Sequence, residues 1–169
     1  MNGTKYVNMA DVNSPRPGDA EILEFIELLF FAYRDFISDP DAILSAYGFG
    51  RAHHRVLHFV GRNPGMRVAE LLDILRITKQ SLARVLKELI EKQLVYQTEG
   101  AQDRRQRLLY LTPEGEALRL KLMKPQMERV GRALAQSGDA RAVLLGLINE
   151  AGRAEVTQRL AQEAEREAS

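Results

Sequence analysis

The sequence predicts a mainly α-helical chain with a small two-stranded wing, on three observations. Apolar residues recur at helical spacing over most of the length from Ile22 to Leu160. Two short helices meet across the brief connection Arg76, Ile77, Thr78, which makes a helix-turn-helix. Strand character is confined to LVYQTEG (94–100) and RLLYLT (107–112), joined by a polar loop, which adds a hairpin directly after that unit.

With 169 residues and 45% hydrophobic content, one compact unit is expected. Residues 1–18 end in Ser14, Pro15, Arg16, Pro17 and Gly18 and read as a flexible N-terminal arm. A single domain then covers 19–169, with a winged helix-turn-helix lobe at 51–112 and flanking helices at 19–46 and 114–166. In the first of these, Ile22, Phe25, Ile26, Leu29, Phe30, Tyr33 and Ile37 form a helical stripe that Leu23, Leu28 and Phe31 widen beyond one face. Asp39 and Pro40 are expected to restart a short helix to Ala46, before a turn at Tyr47 to Gly50.

A helix from Arg51 to Arg62 carries Val56, Leu57, Phe59 and Val60 and is stopped by Asn63, Pro64 and Gly65. The next, from Val68 to Leu75, buries Val68, Leu71, Leu72 and Leu75. Thr78 is placed to cap the fourth helix (78–92), because its hydroxyl can accept an otherwise orphan backbone N–H. Thr112, Pro113 and Glu114 open the following helix with a cap, a proline at the first helical position and a carboxylate in the first turn. Pro125 is expected to kink or split it. One final helix, after Ser137, Gly138 and Asp139, carries Leu144, Leu147, Ile148, Ala151 and Leu160.

The absence of cysteine excludes a disulfide scaffold, a thiolate metal site and a cysteine-based peroxide sensor within this sequence. No signal-peptide core and no membrane-length apolar run is visible, so a cytoplasmic location and no membrane partner are expected. An enzyme is disfavoured, because a phosphate-binding glycine loop, a G-x-S-x-G nucleophile motif and a cluster of metal-binding carboxylates are all missing. No cofactor is called for.

A formal charge of +1 does not suggest nucleic acid, but its distribution does. Residues 1–46 hold three basic and eight acidic side chains, whereas residues 76–107 hold eight basic and four acidic. On the fourth helix Leu82, Val85, Leu86, Leu89 and Gln93 cluster on one side, and Gln80, Arg84, Lys87 and Glu91 fall opposite. Arginine can take two acceptors of guanine, glutamine can pair with adenine, and serine or threonine can serve base or phosphate. This is how the second helix of a helix-turn-helix docks in the major groove of double-stranded DNA. The wing (100–107) puts Arg104, Arg105 and Arg107 at the tip of a projection able to enter the minor groove, where the potential is most negative. Asp103 cannot favour phosphate; its expected role is to accept from a neighbouring guanidinium, most simply that of Arg105.

The segments AELLDILRITKQSLARVLKELIEKQLV (69–95) and DRRQRLLYLTPEG (103–115) resemble the multiple-antibiotic-resistance regulator (MarR) family of bacterial winged-helix repressors. The resemblance extends more loosely from about residue 20 to the C-terminus. It implies that Thr78, Lys79, Gln80, Ser81 and Arg84 are the groove-reading positions, and that Asp103 and Arg105 match the family's wing aspartate and arginine. It also implies N- and C-terminal dimerisation helices and a small effector, often an aromatic or phenolic acid. The residues support a homodimer independently, since the end helices are more apolar than one small lobe can cover. Tyr33, Arg51, His53 and His54 are the candidate contacts for an aromatic or anionic effector. His54 and His58, four residues apart, could share a metal, but the ordinary reading of each is a helix residue making one hydrogen bond. The expected function is a sequence-specific transcriptional regulator, a repressor released by its effector. The alternative is an architectural DNA-binding protein without a ligand.

Overall fold

The structure, a computed structural model, describes residues 17–101, 103–136 and 140–167. Among these the elements are α1 (Asp19–Ser45), α2 (Arg51–Arg62), β1 (Met66–Arg67), α3 (Val68–Leu75) and α4 (Lys79–Glu91). They continue with β2 (Val95–Glu99), β3 (Arg107–Leu111), α5 (Pro113–Gln136), α6 (Ala140–Leu147) and α7 (Glu150–Glu167). The expected arm lies outside the described residues except for Pro17 and Gly18.

The core forms where α2, α3 and α4 turn their apolar stripes inward. Val56, Leu57 and Val60 of α2 meet Leu71 and Leu75 of α3 and Leu82, Val85, Leu86 and Leu89 of α4, all buried. Truncating one of these leucines to alanine would cost about 2–5 kcal/mol. The tight turn before α4 places Arg76 in the left-handed region at φ 49°, with its N–H bonded to the Leu72 carbonyl at 3.0 Å. Thr78 caps α4 as its sequence position predicts: Oγ1 accepts from the Ser81 N–H at 3.1 Å.

The far end of α4 is fastened to the start of α5. Gln93 does not extend the apolar side of α4 as its spacing suggests, because the helix stops at Glu91 and Gln93 turns left-handed at φ 56°. Its carbonyl accepts from Thr112 Oγ1 at 2.6 Å, and the same hydroxyl accepts from the Gly115 N–H at 3.0 Å, capping α5. A β-carbon at Gly115 would overlap the Leu94 carbonyl oxygen, so only glycine lets α5 begin this close to the strand.

One expectation is extended and three are corrected. The two-stranded wing of β2 and β3 is present, and a third strand joins it in an antiparallel sheet ordered β1-β3-β2. Met66 pairs with Leu109 and Arg67 with Leu108. Gly65, at φ 83°, turns the chain into that edge and donates to the Leu109 carbonyl at 2.8 Å. Two residues are too few to show strand alternation.

Contrary to the expected restart at Asp39 and Pro40, α1 runs unbroken through Pro40. Proline has no N–H for the carbonyl one turn earlier, that of Phe36. Gln126 Nε2 of α5 supplies the missing donor at 3.3 Å, and Arg129 pairs with Asp39 at 3.0 Å beside it. Nor does Pro125 split α5, whose packing along α1 outweighs a local cost of about 3 kcal/mol. Finally, the C-terminal region is two helices: Asn149 Oδ1 accepts from the Gly152 N–H at 2.8 Å, capping α7 after α6 has ended. Ser137 to Asp139 lie outside the described residues.

The apolar surface of α1 stays uncovered within one chain. Leu23 is 62% and Phe30 70% exposed, and Leu28 and Phe31 are more than half exposed. Met127 and Leu134 of α5 and Leu144 and Leu147 of α6 are likewise exposed. Among the described residues no helix is long and apolar enough to cross a membrane.

Candidate nucleic-acid interface

Burying the apolar side of α4 leaves Lys79, Gln80, Ser81, Arg84 and Lys87 exposed on the other, with Thr78 exposed at its start. Thr78 Oγ1 donates to Ser81 Oγ at 2.9 Å, so the Ser81 hydroxyl keeps its own proton for an acceptor outside the chain. Arg84 and Lys87 side chains are 76% and 74% exposed, and each lies one turn before a glutamate. Arg84 Nε stands 3.9 Å from Glu88 Oε1, and Lys87 Nζ 3.7 Å from Glu91 Oε1. Exposed pairs this long are worth little, so both cations can exchange partners for phosphate or base at small cost.

The loop between β2 and β3 closes through its backbone. Gly100 donates to the Gln106 carbonyl and Gln106 to the Asp103 carbonyl, each at 3.0 Å. Asp103 Oδ1 accepts from the Arg105 backbone N–H at 2.9 Å. This corrects the expected partner: the carboxylate orders the main chain at Arg105 and leaves its guanidinium turned to solvent. The short aspartate side chain reaches a main-chain donor two residues on, a turn geometry aspartate favours. Arg104 and Arg105 are exposed. Arg107 is a different case, since it faces Glu99 across the strands and Nη1 lies 3.2 Å from Glu99 Oε1. Two of the three arginines therefore form the tip, and the third belongs to the ladder.

A groove of about 810 Å³ runs between α3, α4 and the wing. Leu72, Leu82 and Leu86 form its floor, Lys79 and Lys87 stand on the α4 wall, and Arg105 and Arg107 on the wing wall. Cations on opposite walls of one groove focus a positive potential between them.

The candidate effector residues occupy separate settings. Tyr33 is exposed on α1. Arg51 Nε bonds to Asp41 Oδ2 at 3.0 Å. His54 is half-buried; burial holds its imidazole below the ordinary value, with the Asp41 carboxylate opposing and Arg55 assisting. His53 is buried and stacks on Phe49 with ring centroids 4.5 Å apart. Its Nδ1 accepts from the Gly50 N–H at 3.1 Å, and its Nε2 lies 2.6 Å from Glu88 Oε2. Sequence reasoning missed Glu88 as the partner of His53, because the two are 35 positions apart and no local pattern joins them. His58 meets Phe59 edge to face at 5.1 Å. Among the described residues no group of three or more histidine, cysteine, aspartate or glutamate side chains is arranged to hold a metal ion.

The chain is similar to known transcriptional regulators. A model of the MarR family matches residues 47–106, from the turn before α2 to the wing. The HTH-type transcriptional regulator PetP of Rhodobacter capsulatus is 45% identical over 120 residues, covering 71% of this chain and 72% of that protein. A putative transcriptional regulatory protein for the hcr operon of Thauera aromatica is 26% identical over 118 residues, 69% of each chain. Among solved structures, the MarR family transcription regulator SP03579 superposes with a TM-score of 0.61 at 16% identity, covering 86% of this chain and 94% of that one. The crystal structure of MarR gives 0.53 at 23% identity, with 92% and 98% covered. A point mutant of Staphylococcus aureus MepR bound to an oligodeoxyribonucleotide gives 0.53 at 19%, with 82% and 96% covered.

Proposed function

The chain belongs to the MarR family of DNA-binding transcriptional regulators, and from that premise we propose that it is a homodimeric repressor of a pseudo-palindromic operator, released by a small effector. The observation that carries this reading is the groove with Lys79 and Lys87 on one wall and Arg105 and Arg107 on the other. A duplex lying on that face puts α4 in a major groove and the wing in the adjacent minor groove. Thr78, Lys79, Gln80, Ser81, Arg84 and Lys87 are the α4 contacts, with Arg84 and Gln80 reading base edges. Arg104, Arg105 and Arg107 contact phosphate or the minor groove, and Asp103 holds the loop.

The second protomer covers the exposed apolar face of α1 together with α5 and α6, since patches of this kind are rarely left open on a monomer. Two α4 helices related by a two-fold axis then read half-sites about 34–36 Å apart. The operator-bound protein acts in the cytoplasm. An anionic aromatic effector enters beside α2 at Arg51 and His54, with His53 behind them contacting α4, while Tyr33 stands apart on α1.

Genome-wide mapping of bound sites tests the reading. It should return a small set of discrete sites with two-fold symmetry. Uniform coating without a preferred sequence would replace the regulator by a ligand-independent architectural protein. Release is tested on the same operator by titrating aromatic carboxylates such as salicylate and benzoate. Ala at His54 should leave DNA affinity nearly intact while raising the effector concentration needed for release.

A further inference from the structure

Apolar packing holds α4 on the lobe, yet burial is non-directional and leaves a helix free to roll or slide by fractions of an ångström. Base recognition does not tolerate that freedom, because bidentate contacts need both donors placed together. One directional bond fixes α4 in its C-terminal half. His53, 7% exposed at the first turn of α2, approaches Glu88 of α4 with Nε2 to Oε2 at 2.6 Å. The ring is itself immobilised on two sides: Phe49 stacks on its face at 4.5 Å, and the Gly50 N–H donates to Nδ1 at 3.1 Å. Since Nδ1 accepts, Nε2 carries the proton and donates to the carboxylate. A short bond from a buried ring to an ionised acceptor is among the strong directional contacts available to a protein. Glu88 is one helical turn after Arg84, on the same strip of α4, and its other oxygen lies 3.9 Å from Arg84 Nε.

We propose that Glu88 is a positioning residue for sequence recognition: bonded to His53, it fixes the roll of α4 and hence where Arg84 and Gln80 meet the bases. The inference rests on α4 being the reading element. It gives a role to the acidic residue one turn after Arg84, where a free carboxylate would only oppose phosphate. Arg84 is too exposed for the 3.9 Å pair to orient it strongly. The bond to His53 is therefore what matters.

The experiment uses the full chain and a randomised duplex library. Preferred duplexes are selected with the wild-type protein, and affinity for the best of them is divided by affinity for random duplex to give a specificity ratio. Glu88→Ala should lower this ratio by about tenfold or more, the scale of one lost base contact, while random-duplex affinity is unchanged or higher. Glu88→Gln keeps an acceptor for His53 Nε2 and should retain most of the ratio. His53→Ala should lower the ratio as Glu88→Ala does, and the double variant should be no worse than either single one, as expected for partners in one contact. If His53→Ala does not fold, the two Glu88 variants decide alone.

The inference is overturned if Glu88→Ala and Glu88→Gln both tighten selected and random duplexes equally, which is bare charge removal. It is also overturned if Glu88→Ala weakens both equally while lowering the melting temperature, which is loss of fold. A wild-type selection that enriches no sequence would overturn the reading role of α4 and this inference with it. A clear wild-type preference that Glu88→Ala retains would overturn the inference alone.

Discussion

Gln126 donates from Nε2 to the Phe36 carbonyl at 3.3 Å, taking the place of the helical N–H that Pro40 cannot provide. This bond and the neighbouring Arg129–Asp39 pair at 3.0 Å join α1 to α5, the two longest elements of the proposed dimer platform.

Gln126→Ala should therefore destabilise the chain by about 1–2 kcal/mol, the usual cost of stranding a part-buried carbonyl. In a Pro40→Ala background the restored backbone N–H satisfies Phe36, and the cost of Gln126→Ala should shrink to a few tenths of a kcal/mol. A four-way comparison by urea denaturation measures the difference. Equal costs in both backgrounds would refute the substitution of one donor for the other.

That relationship also marks where sequence reasoning stops. The helices α2, α3 and α4 and the start of α5 were legible because their apolar stripes are regular and their ends carry local punctuation: Asn63-Pro64-Gly65, Thr78 and Thr112-Pro113. The exposed face of α4 followed from the same periodicity. Continuity of α1 through Pro40 was not legible, since its reason is the side chain of Gln126, 90 positions from the Phe36 carbonyl it serves. The two-residue strand β1 exists only because β3 offers it a ladder. At the wing, the sequence pointed to Asp103 as an organiser but not to a backbone N–H as its partner. His53 stood out as a candidate, but its contact with α4 is a property of the folded chain alone.

Charging the proposed interface should separate the protomers. Phe30 and Leu23 are exposed in one chain, so Phe30→Asp with Leu23→Asp should leave the fold nearly intact while halving the sedimenting mass. Tight operator binding should fall with it, because each half-site alone binds weakly. A variant that still sediments as a dimer would move the interface elsewhere.

His54 gives a pH signature. Burial holds its imidazole below the ordinary value of 6.5, so the unfolded chain takes up this proton more readily than the folded one. The contribution of neutral His54 to stability is complete above that value and is lost as the pH falls through it toward the lower folded value. Urea denaturation at pH 7.5 and 5.5 should show a larger loss for wild type than for His54→Gln. Equal losses would mean that burial does not hold the imidazole neutral.

At the wing, Asp103→Ala should weaken operator binding although it removes a negative charge near phosphate, because the Arg105 backbone loses its acceptor. Asp103→Asn keeps a side-chain oxygen for that N–H and should bind at least as well as wild type. If the alanine variant instead tightens binding at every salt concentration, the carboxylate does not organise the loop.

The division of labour between α4 and the wing is tested most directly by measuring Arg84→Ala and Arg105→Ala on a selected operator and on random duplex across a salt series. Arg84→Ala should cost about 1–3 kcal/mol on the operator and much less on random DNA, with the salt slope nearly unchanged. Arg105→Ala should weaken both duplexes and flatten log affinity against log salt by about one unit, as for one lost phosphate contact. Equal losses for Arg84→Ala on operator and random duplex would contradict the account, leaving α4 a phosphate-binding surface that reads no sequence.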